Sequence, residues 1–418
     1  MVVEKNIHIK GKKKLTGELS ISGAKNAVLK QMILPILSEG DYKIDNVPAI
    51  ADVYYMQEVL EVLGINSKLE EKTLTLSSPA DISIEAPYEV VQKMRASIIV
   101  LGPLLARKGE AKIAFPGGDQ LGPRPVKMHI EALEKMGAVF SLDHGVLTGK
   151  TDGLKGVEVN LSYASVGATE NTLLAAVLAE GTTVVENAAR EPEVVDLVKM
   201  LKNMGADITG EGTSEIQINE VSSLKSTDHT VIGDRIVAGT YLAAILSTGG
   251  HGKINGINPE HLPMELKKFV EIGAKLDTGN DYIQIESTDD LSSIDISTLP
   301  FPGVATDLQP IFGAALLRAE GTSIITENVY DQRFQWIPEV QRMGDNLQIG
   351  WQHAMIKGVN NLSGAPVHST DIRTGASLII AALQADGESI ISGVEHIERG
   401  YENIVTLLSS IGGEIEYN

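Results

Sequence analysis

The sequence contains no cysteine among its 418 residues, which excludes disulfide bonds, thiolate nucleophiles and cysteine-based metal sites. Aromatic residues make up only 4% of the chain, so we expect a core of leucine, isoleucine, valine, alanine and methionine. No apolar run approaches the roughly 20 residues that a membrane-spanning helix needs, and the N-terminal residues lack the apolar segment of a signal peptide. Together these absences predict a soluble, cytoplasmic protein.

Positive charge is also scarce, because 35 lysine and arginine residues face 55 aspartate and glutamate residues and the formal net charge is −20. This balance argues against binding to nucleic acid or to an anionic membrane. A small anionic substrate is compatible with it if lysine and arginine are concentrated at the site. The 43% of apolar residues indicates a folded globular chain, long enough for two or three domains.

The common cofactor motifs are missing as well. The sequence has no Gly-x-x-x-x-Gly-Lys-Ser/Thr loop, no Gly-x-Gly-x-x-Gly after a strand and no His-Glu-x-x-His, and its nine histidines are scattered. We therefore expect no metal and no nucleotide cofactor, and we take a monomer as the default.

What the sequence does contain is a pattern that occurs six times, at intervals of about 70 residues. Each copy has an apolar helix, a glycine and a β-branched strand, followed by an amphipathic helix, a second glycine and a further strand. The glycines that follow the amphipathic helices are Gly64, Gly137, Gly205, Gly273, Gly344 and Gly412. The pattern predicts α/β domains with helices buried against sheets. We expect two halves of three copies, a boundary near residues 232–236, and an N-terminal strand that pairs with the distant half.

The segment 114–125 contains three glycines and three prolines, so it cannot form a regular helix or strand. It carries one carboxylate, Asp119, and one guanidinium group, Arg124. Two interpretations are open from local composition: a surface turn between two elements, or a mobile catalytic lid over an anionic substrate.

Charged side chains also stand at or near predicted helix starts. Lys25 opposes the macrodipole of its helix, which a bound anion would explain, although a solvated lysine is the simpler alternative. Two Thr-Asp pairs, which end in Asp307 and Asp371, precede helices of the second half and could be N-caps. Equivalent helix starts in pseudo-symmetric repeats tend to lie on one side of a fold, so these groups together suit a doubly anionic ligand and acid–base chemistry. The set comprises Lys25, Arg95, Asp119, Arg124, Asp307, Asp371, Arg373 and Arg399.

Ten short segments resemble, in the expected order, the UDP-N-acetylglucosamine 1-carboxyvinyltransferases, the enolpyruvyl transferase family of bacterial cell-wall synthesis. The segments are 17–27, 94–98, 116–119, 122–125, 165–169, 186–193, 306–309, 333–334, 371–373 and 399–401. The resemblance runs from about residue 7 to the C-terminus and implies an α/β (α+β) fold. It implies two inside-out α/β barrel domains of three repeats each around a central cleft. The first would comprise residues 22–234 and carry the catalytic loop 114–125; the second would comprise residues 1–21 with 235–418.

The resemblance also implies the reaction. The enolpyruvyl group of phosphoenolpyruvate is transferred to the 3-hydroxyl of UDP-N-acetylglucosamine through a tetrahedral adduct, and phosphate is released. This is the first committed step of peptidoglycan precursor synthesis, and thus serves cell shape and division. By the same resemblance, Lys25, Arg124 and Arg399 would hold phosphoenolpyruvate, with Arg95 and Arg373 nearby.

Further roles are implied for residues that match the family's segments. Asp307 would take the proton from the sugar hydroxyl, and Asp371 would lie close to Lys25 and assist proton removal. Asp119 would deliver a proton to C3 of the enol. Other substrate contacts would come from Asn26, Pro125, Val126, Lys127, Ser165, Val166, Gly167 and Val329.

Two departures from the family pattern matter. Many members carry cysteine where Asp119 stands, and a carboxyl group can donate a proton only if its site raises its pKa from about 3.9. We therefore expect activity shifted toward acid pH and insensitivity to fosfomycin, which alkylates that cysteine. Lys127 stands where the family usually has aspartate, which keeps open a paralogous transferase for another nucleotide or sugar. A catalytically silent paralog that binds the nucleotide sugar is a third alternative; a shikimate-pathway transferase fits the segments poorly.

Overall fold

The computed structural model describes residues 5–114, 126–288, 290–344 and 346–418, with the side chains of Arg95 and Asn346 left out. The described residues form two compact units, one of residues 23–114 and 126–232 and one of residues 5–22 and 233–418. Each unit has its own core of buried, mainly aliphatic side chains. We call them the N-terminal unit and the C-terminal unit.

Six of the helices in the described residues consist largely of buried residues, both apolar and polar: α1, α4, α6, α8, α10 and α12. The α-helices are α1 (Lys25–Gln31), α2 (Ala51–Val62), α3 (Tyr88–Val91), α4 (Leu101–Lys108), α5 (Lys127–Lys135), α6 (Val166–Ala176), α7 (Pro192–Asn203), α8 (Arg235–Ser247), α9 (Pro263–Ile272), α10 (Gln309–Ala315), α11 (Trp336–Gln341), α12 (Ile372–Gln384), α13 (Val394–Glu398) and α14 (Ile404–Ser410). Short 3-10 helices span Leu34–Ile36, Arg95–Val100, Pro259–His261 and Thr306–Leu308.

The strands are short and most of them alternate between buried and exposed residues, as expected of sheets with one buried face. They are β1 (Ile7–Lys10), β2 (Thr16–Ser20), β3 (Gly40–Asp45), β4 (Asn66–Glu70), β5 (Thr73–Ser78), β6 (Glu85–Ala86), β7 (Glu110–Ala114), β8 (Val139–Asp143), β9 (Val146–Lys150), β10 (Glu158–Asn160), β11 (Thr182–Glu186) and β12 (Asp207–Thr209). The remainder are β13 (Glu215–Asn219), β14 (Asp228–Thr230), β15 (His251–Asn255), β16 (Ala274–Thr278), β17 (Tyr282–Ser287), β18 (Ile296–Ser297), β19 (Thr322–Thr326), β20 (Asn346–Gly350), β21 (His353–Lys357), β22 (Pro366–His368), β23 (Glu388–Ser392) and β24 (Glu414–Tyr417).

Within the described part of the chain, these strands form six four-stranded sheets, three in each unit. Their orders are β14-β3-β5-β4, β6-β7-β9-β8, β10-β11-β13-β12, β16-β17-β15-β2, β18-β19-β21-β20 and β22-β23-β1-β24. In every sheet one edge strand runs parallel to its neighbour and the other pairs are antiparallel. The pattern of two strands per copy predicted from the sequence was therefore incomplete. Edge strands of two or three residues, such as β6 and β18, are too short to show an alternating pattern.

The prediction that a glycine ends the amphipathic helix of each repeat is confirmed. All six glycines that follow the amphipathic helices have positive φ, for example 90° at Gly64 and 98° at Gly412, a conformation in which glycine ends helices without strain. The predicted pairing of the N-terminal strand with the distant half is also confirmed. Strand β1 is antiparallel to both β23 and β24, with Ile7 opposite Ile391 and Tyr417.

Within the described residues, we find no helix that combines the length and the apolar character needed to cross a membrane.

Candidate active site

Asp307 lies in the 3-10 helix that leads into α10, and its carboxylate contacts two guanidinium groups. Its Oδ1 is 2.7 Å from Nη1 of Arg333, and its Oδ2 is 3.3 Å from Nη2 of Arg373. The Asp307 side chain is 23% exposed, whereas those of Arg333 and Arg373 are 6% and 5% exposed. The carboxylate is therefore open to a ligand while its two cationic partners are fixed beneath the surface.

The packing around Arg373 explains how a buried guanidinium group is tolerated. Its Cζ lies 5.5 Å from the centre of the Tyr401 ring, a cation–π distance. Burial by itself would lower the pKa of Arg373, but Tyr401, Asp307 and Asp234 outweigh it and the net shift is upward. Burial raises the pKa of the Tyr401 hydroxyl, which lies 2.9 Å from Oγ1 of Thr240. Since that hydroxyl of Thr240 donates to a backbone carbonyl, Tyr401 is the donor.

Asp371 has a different environment from Asp307, although both follow a threonine at a helix start. Its Oδ1 accepts from the backbone N–H groups of Arg373 and Thr374, at 2.9 and 3.0 Å, and its Oδ2 accepts from the Thr374 hydroxyl. Asp371 is thus the N-cap of α12, which was one of the two interpretations of the Thr-Asp pairs. Asp307 is not an N-cap, since that position belongs to Ala305.

A buried glutamate, Glu327, organises the backbone beside Asp307. Its Oε1 accepts from Oγ1 of Thr298 at 2.8 Å and from the N–H groups of Val329 and Tyr330 at 2.8 and 3.0 Å. Its Oε2 accepts from Oγ1 of Thr306 at 2.9 Å. Val329, a predicted substrate contact, is therefore held by the same carboxyl group that reaches the residue before Asp307.

In the N-terminal unit, Lys25 begins α1 and lies 3.2 Å from Oδ2 of Asp52, in the first turn of α2. Asn26 follows it, and its carbonyl oxygen accepts from the ammonium group of Lys30 at 2.5 Å. The same ammonium group is 3.4 Å from Oε2 of Glu170, a completely buried residue of α6. Desolvation raises the pKa of Glu170 to about 7, although Lys30 acts in the opposite direction.

The predicted nucleotide contacts lie at the starts of α5 and α6. Ser165 is the N-cap of α6, and Val166 and Gly167 are its first residues. A Cβ added at Gly167 would come within 3.1 Å of Cε1 of His129, so a larger residue there would require the imidazole ring to shift by a few tenths of an ångström. Val126 is buried at the N-cap position of α5.

Lys127, the first residue of α5, is 75% exposed and lies 3.2 Å from Oε1 of Glu131. Arg399 is half-buried at the C-terminal end of α13. Asp119, Arg124 and Pro125 lie outside the described residues, as does the side chain of Arg95.

The structure brings together Asp307 and Arg373, as the argument from equivalent helix starts predicted. It also shows three contributors for which the sequence indicated no role: Thr306, Glu327 and Arg333. Arg333 belonged to a matching segment but received no role, because it stands in an irregular stretch before α11. Glu327 gave no signal beyond its position after a β-branched strand.

Comparison with known proteins identifies the class of enzyme to which the chain belongs. The family described as EPSP synthase (3-phosphoshikimate 1-carboxyvinyltransferase) matches residues 9–408, which is nearly the whole chain. The class is therefore that of the enolpyruvyl, or 1-carboxyvinyl, transferases.

Among curated relatives, the UDP-N-acetylglucosamine 1-carboxyvinyltransferase of Corynebacterium efficiens is 45% identical over 98% of this chain and 97% of its own length. The enzyme of the same name from Thermotoga petrophila is 44% identical, with 98% of each chain covered. The chain belongs to the UDP-N-acetylglucosamine 1-carboxyvinyltransferase family.

Solved structures agree on the fold. The enolpyruvyl transferase NikO from Streptomyces tendae has a TM-score of 0.90 at 23% identity, with 99% of each chain covered. An EPSP synthase from Acinetobacter baumannii has a TM-score of 0.76 at 19% identity, over 100% of each chain. The predicted fold class, mixed α/β with two domains of three repeats, is confirmed.

Proposed function

We propose that this chain transfers the enolpyruvyl group of phosphoenolpyruvate to the 3-hydroxyl of UDP-N-acetylglucosamine and releases phosphate. The observation that carries the proposal is the partly exposed Asp307 carboxylate, which is held by two buried guanidinium groups. Full-length relatives at 44–45% identity that bear the name of this activity support it.

In the proposed mechanism, Asp307 accepts the proton of the sugar 3-hydroxyl as the oxygen attacks C2 of phosphoenolpyruvate. Asp119 delivers a proton to C3, so a tetrahedral adduct forms that still carries the phosphate. Loss of the C3 proton and of phosphate then gives the enol ether. Asp371, which caps α12, assists proton removal, and Lys25, Arg95, Arg124, Arg373 and Arg399 hold the anionic groups.

The buried cations around Asp307 fit a ligand that carries negative charge. In the described part of the chain, Nε of Arg333 is buried and has no hydrogen-bond partner. An unpaired buried donor adds to the cost of burying this cation, and negative charge in the neighbouring site offsets that cost. The substrate contacts of the sugar nucleotide are proposed for Asn26, Val126, Lys127, Ser165, Val166, Gly167 and Val329, with Pro125 in the loop.

We propose further that the two units correspond to two domains of residues 22–234 and of residues 1–21 with 235–418, bounds that differ from those of the units by one or two residues. The enzyme acts in the cytoplasm as a monomer and draws on no cofactor, since both substrates and its own acid–base groups supply the chemistry. Sedimentation of the purified chain would test the oligomeric state.

The decisive experiment measures phosphate release from phosphoenolpyruvate plus UDP-N-acetylglucosamine across pH, in the wild type, in Asp307→Ala and in Asp331→Asn. Asp331 is an exposed carboxylate of the same unit that bonds to Gln352, so its variant is a matched control. Turnover by the wild type and the control, with turnover lost in Asp307→Ala, is the expected result. Normal turnover in Asp307→Ala would refute the assignment of the base. Release with another acceptor only would replace the proposed substrate.

A further inference from the structure

We infer that Glu327 is a positioning residue that holds Val329 and Asp307 in a common geometry, an inference that rests on the function proposed above. Glu327 has no exposed surface, and both of its carboxyl oxygens accept hydrogen bonds. One oxygen fixes the backbone turn at Val329 and Tyr330. The other is bonded to Thr306, next to the proposed base in sequence.

The pseudo-symmetric repeats show what the fold alone requires at this position. In five of the sheets within the described residues, the residue that follows the parallel edge strand donates its backbone N–H to the carbonyl oxygen of the last residue of the neighbouring strand. The equivalent position in each repeat is the residue directly after that last residue. In four repeats that residue is Asn46, Asn187, Gly256 or Gly393, with φ of 63°, 54°, 82° and 73°. These are residues that tolerate a left-handed turn. Glu327 occupies the fifth such position and is not among the residues with positive φ.

In this repeat, the hydrogen bond to the carbonyl oxygen after the edge strand is donated by the next residue, Asn328. Nδ2 of Asn187 donates to the carbonyl oxygen of Leu161 at 2.8 Å, and Nδ2 of Asn328 donates to the equivalent carbonyl oxygen of Thr298 at 3.0 Å. Asn328 therefore performs the cap that the fold needs, and the buried carboxyl group of Glu327 is an addition. Burial of such a group is costly unless it is fully hydrogen-bonded, and the bonds that satisfy Glu327 tie Thr306 to the turn at Val329.

The connection from Glu327 to Asp307 is a short chain of directed hydrogen bonds. Thr306 donates its hydroxyl proton to Oε2 of Glu327, which leaves its oxygen to accept from Nη1 of Arg333 at 3.0 Å. The same Nη1 lies 2.7 Å from Oδ1 of Asp307. Glu327 thus orients the Thr306 hydroxyl, the hydroxyl orients Arg333, and Arg333 fixes the carboxylate that is proposed to take the sugar proton.

The test compares Glu327→Gln, Thr306→Val and Thr306→Ser in steady-state phosphate release, with separate kcat and KM for each substrate. Thr306→Val removes the hydroxyl at nearly constant volume, and Thr306→Ser restores it. Glu186→Gln is the matched control, because Glu186 ends β11 in the other unit and bonds to Asn160.

We expect Thr306→Val to lower kcat by about tenfold or more, with KM for the sugar nucleotide unchanged, since small misplacements of a catalytic group reduce rate strongly. Thr306→Ser should return kcat to within about twofold of the wild type. Glu327→Gln should lower kcat to a similar extent and also raise KM for the sugar nucleotide, because it loosens the Val329 turn as well. The double variant Glu327→Gln/Thr306→Val should be no slower than the slower single variant.

The inference is overturned if folded Glu327→Gln and Thr306→Val both keep kcat and KM within about twofold of the wild type. A variant that only lowers the unfolding midpoint, with kinetics intact, counts against it in the same way. If Glu327→Gln does not fold, the two Thr306 variants decide the matter alone. If the wild type released no phosphate, the proposed function would fail and this inference with it. Phosphate release by the wild type, with unchanged kinetics in both variants, would overturn this inference alone.

Discussion

Arg333 lies 2.7 Å from Asp307 through Nη1 and Oδ1, and the guanidinium group of this pair is almost completely buried. The cation is also bonded to Thr306, so it has two fixed partners in one 3-10 helix. A cation held in this way does not need to reorganise when a substrate arrives, which is the condition for strong electrostatic stabilisation.

The first prediction follows from this pair. Arg333→Ala should lower kcat/KM by about 100-fold, because it removes a preorganised cation from the proposed base. Arg333→Lys should recover only part of the loss, because an ammonium group cannot contact Thr306 and Asp307 with the geometry of a guanidinium fork. Arg342→Ala serves as the control, since Arg342 is exposed and lies 3.9 Å from Glu339, and should change kcat/KM by less than about twofold. Equal kinetics in Arg333→Ala and Arg342→Ala would contradict the prediction.

A second prediction concerns stability as a function of pH. The pKa of Glu170 is raised by burial from 4.5 to about 7, so the folded protein holds this proton more tightly than the unfolded chain does. The wild type should therefore lose about 3 kcal/mol of unfolding free energy as pH rises from about 4.5 to about 7. Glu170→Gln cannot ionise and should escape this loss. Its urea midpoint should exceed that of the wild type at pH 8 and approach it near pH 5.

Glu180→Gln is the control for that comparison, because Glu180 is exposed and pairs with Lys155. Its midpoint should follow the wild type at every pH. A Glu170→Gln curve parallel to the wild-type curve from pH 5 to pH 8 would show that Glu170 does not titrate in this range.

The third prediction concerns Asp119, which lies outside the described residues. Asp119→Asn should abolish turnover, because an amide cannot deliver the proton to C3. Asp119→Cys should retain turnover, shift its pH optimum upward and become sensitive to fosfomycin, because a thiolate is a far better nucleophile than a carboxylate. Phosphate release with and without fosfomycin measures this. A covalent fosfomycin adduct on the wild type, detected by mass spectrometry, would refute it.

The fourth prediction concerns Lys127, whose ion pair with Glu131 is mostly exposed. Such a pair contributes about 0–1 kcal/mol, so Lys127→Ala should unfold at nearly the wild-type midpoint. Lys127→Asp restores the residue usual in the family and should lower KM for UDP-N-acetylglucosamine by about tenfold, the equivalent of one charge-assisted hydrogen bond. Its kcat should stay unchanged. An unaltered KM in both variants would exclude Lys127 from acceptor recognition.

The sequence was most informative where a local rule fixes the conformation. Glycines after amphipathic helices marked six repeats, and each proved to have positive φ, because only glycine enters that region freely. Asp371 behaved as its Thr-Asp context suggests, since an N-cap needs only the backbone of its own helix. The proximity of Asp307 and Arg373 could be anticipated because pseudo-symmetry relates the two helix starts.

The remaining site residues could not be anticipated, because their roles depend on contacts between distant segments. Arg333 and Glu327 stand in irregular stretches, where no periodicity constrains the direction of a side chain. Glu170 lies in a helix beside other polar residues such as Asn171, and only the packing of α1 shows that Lys30 is its partner. Burial and pairing of charges are properties of the assembled core, and a pattern along the chain does not encode them.

The pairing of β1 with β23 and β24 has a consequence for synthesis on the ribosome. Strand β1 is synthesised about 380 residues before its partners, as the bond between His8 and Glu388 illustrates. At a synthesis rate of about 5–20 residues per second, the backbone of β1 stays without these partners for roughly 20–80 seconds, while the N-terminal unit is synthesised. Five lysines lie in or beside the strand, at positions 5, 10, 12, 13 and 14. Positive charge from these lysines opposes pairing between the β1 strands of different nascent chains, which protects the segment from aggregation until its own partners are made.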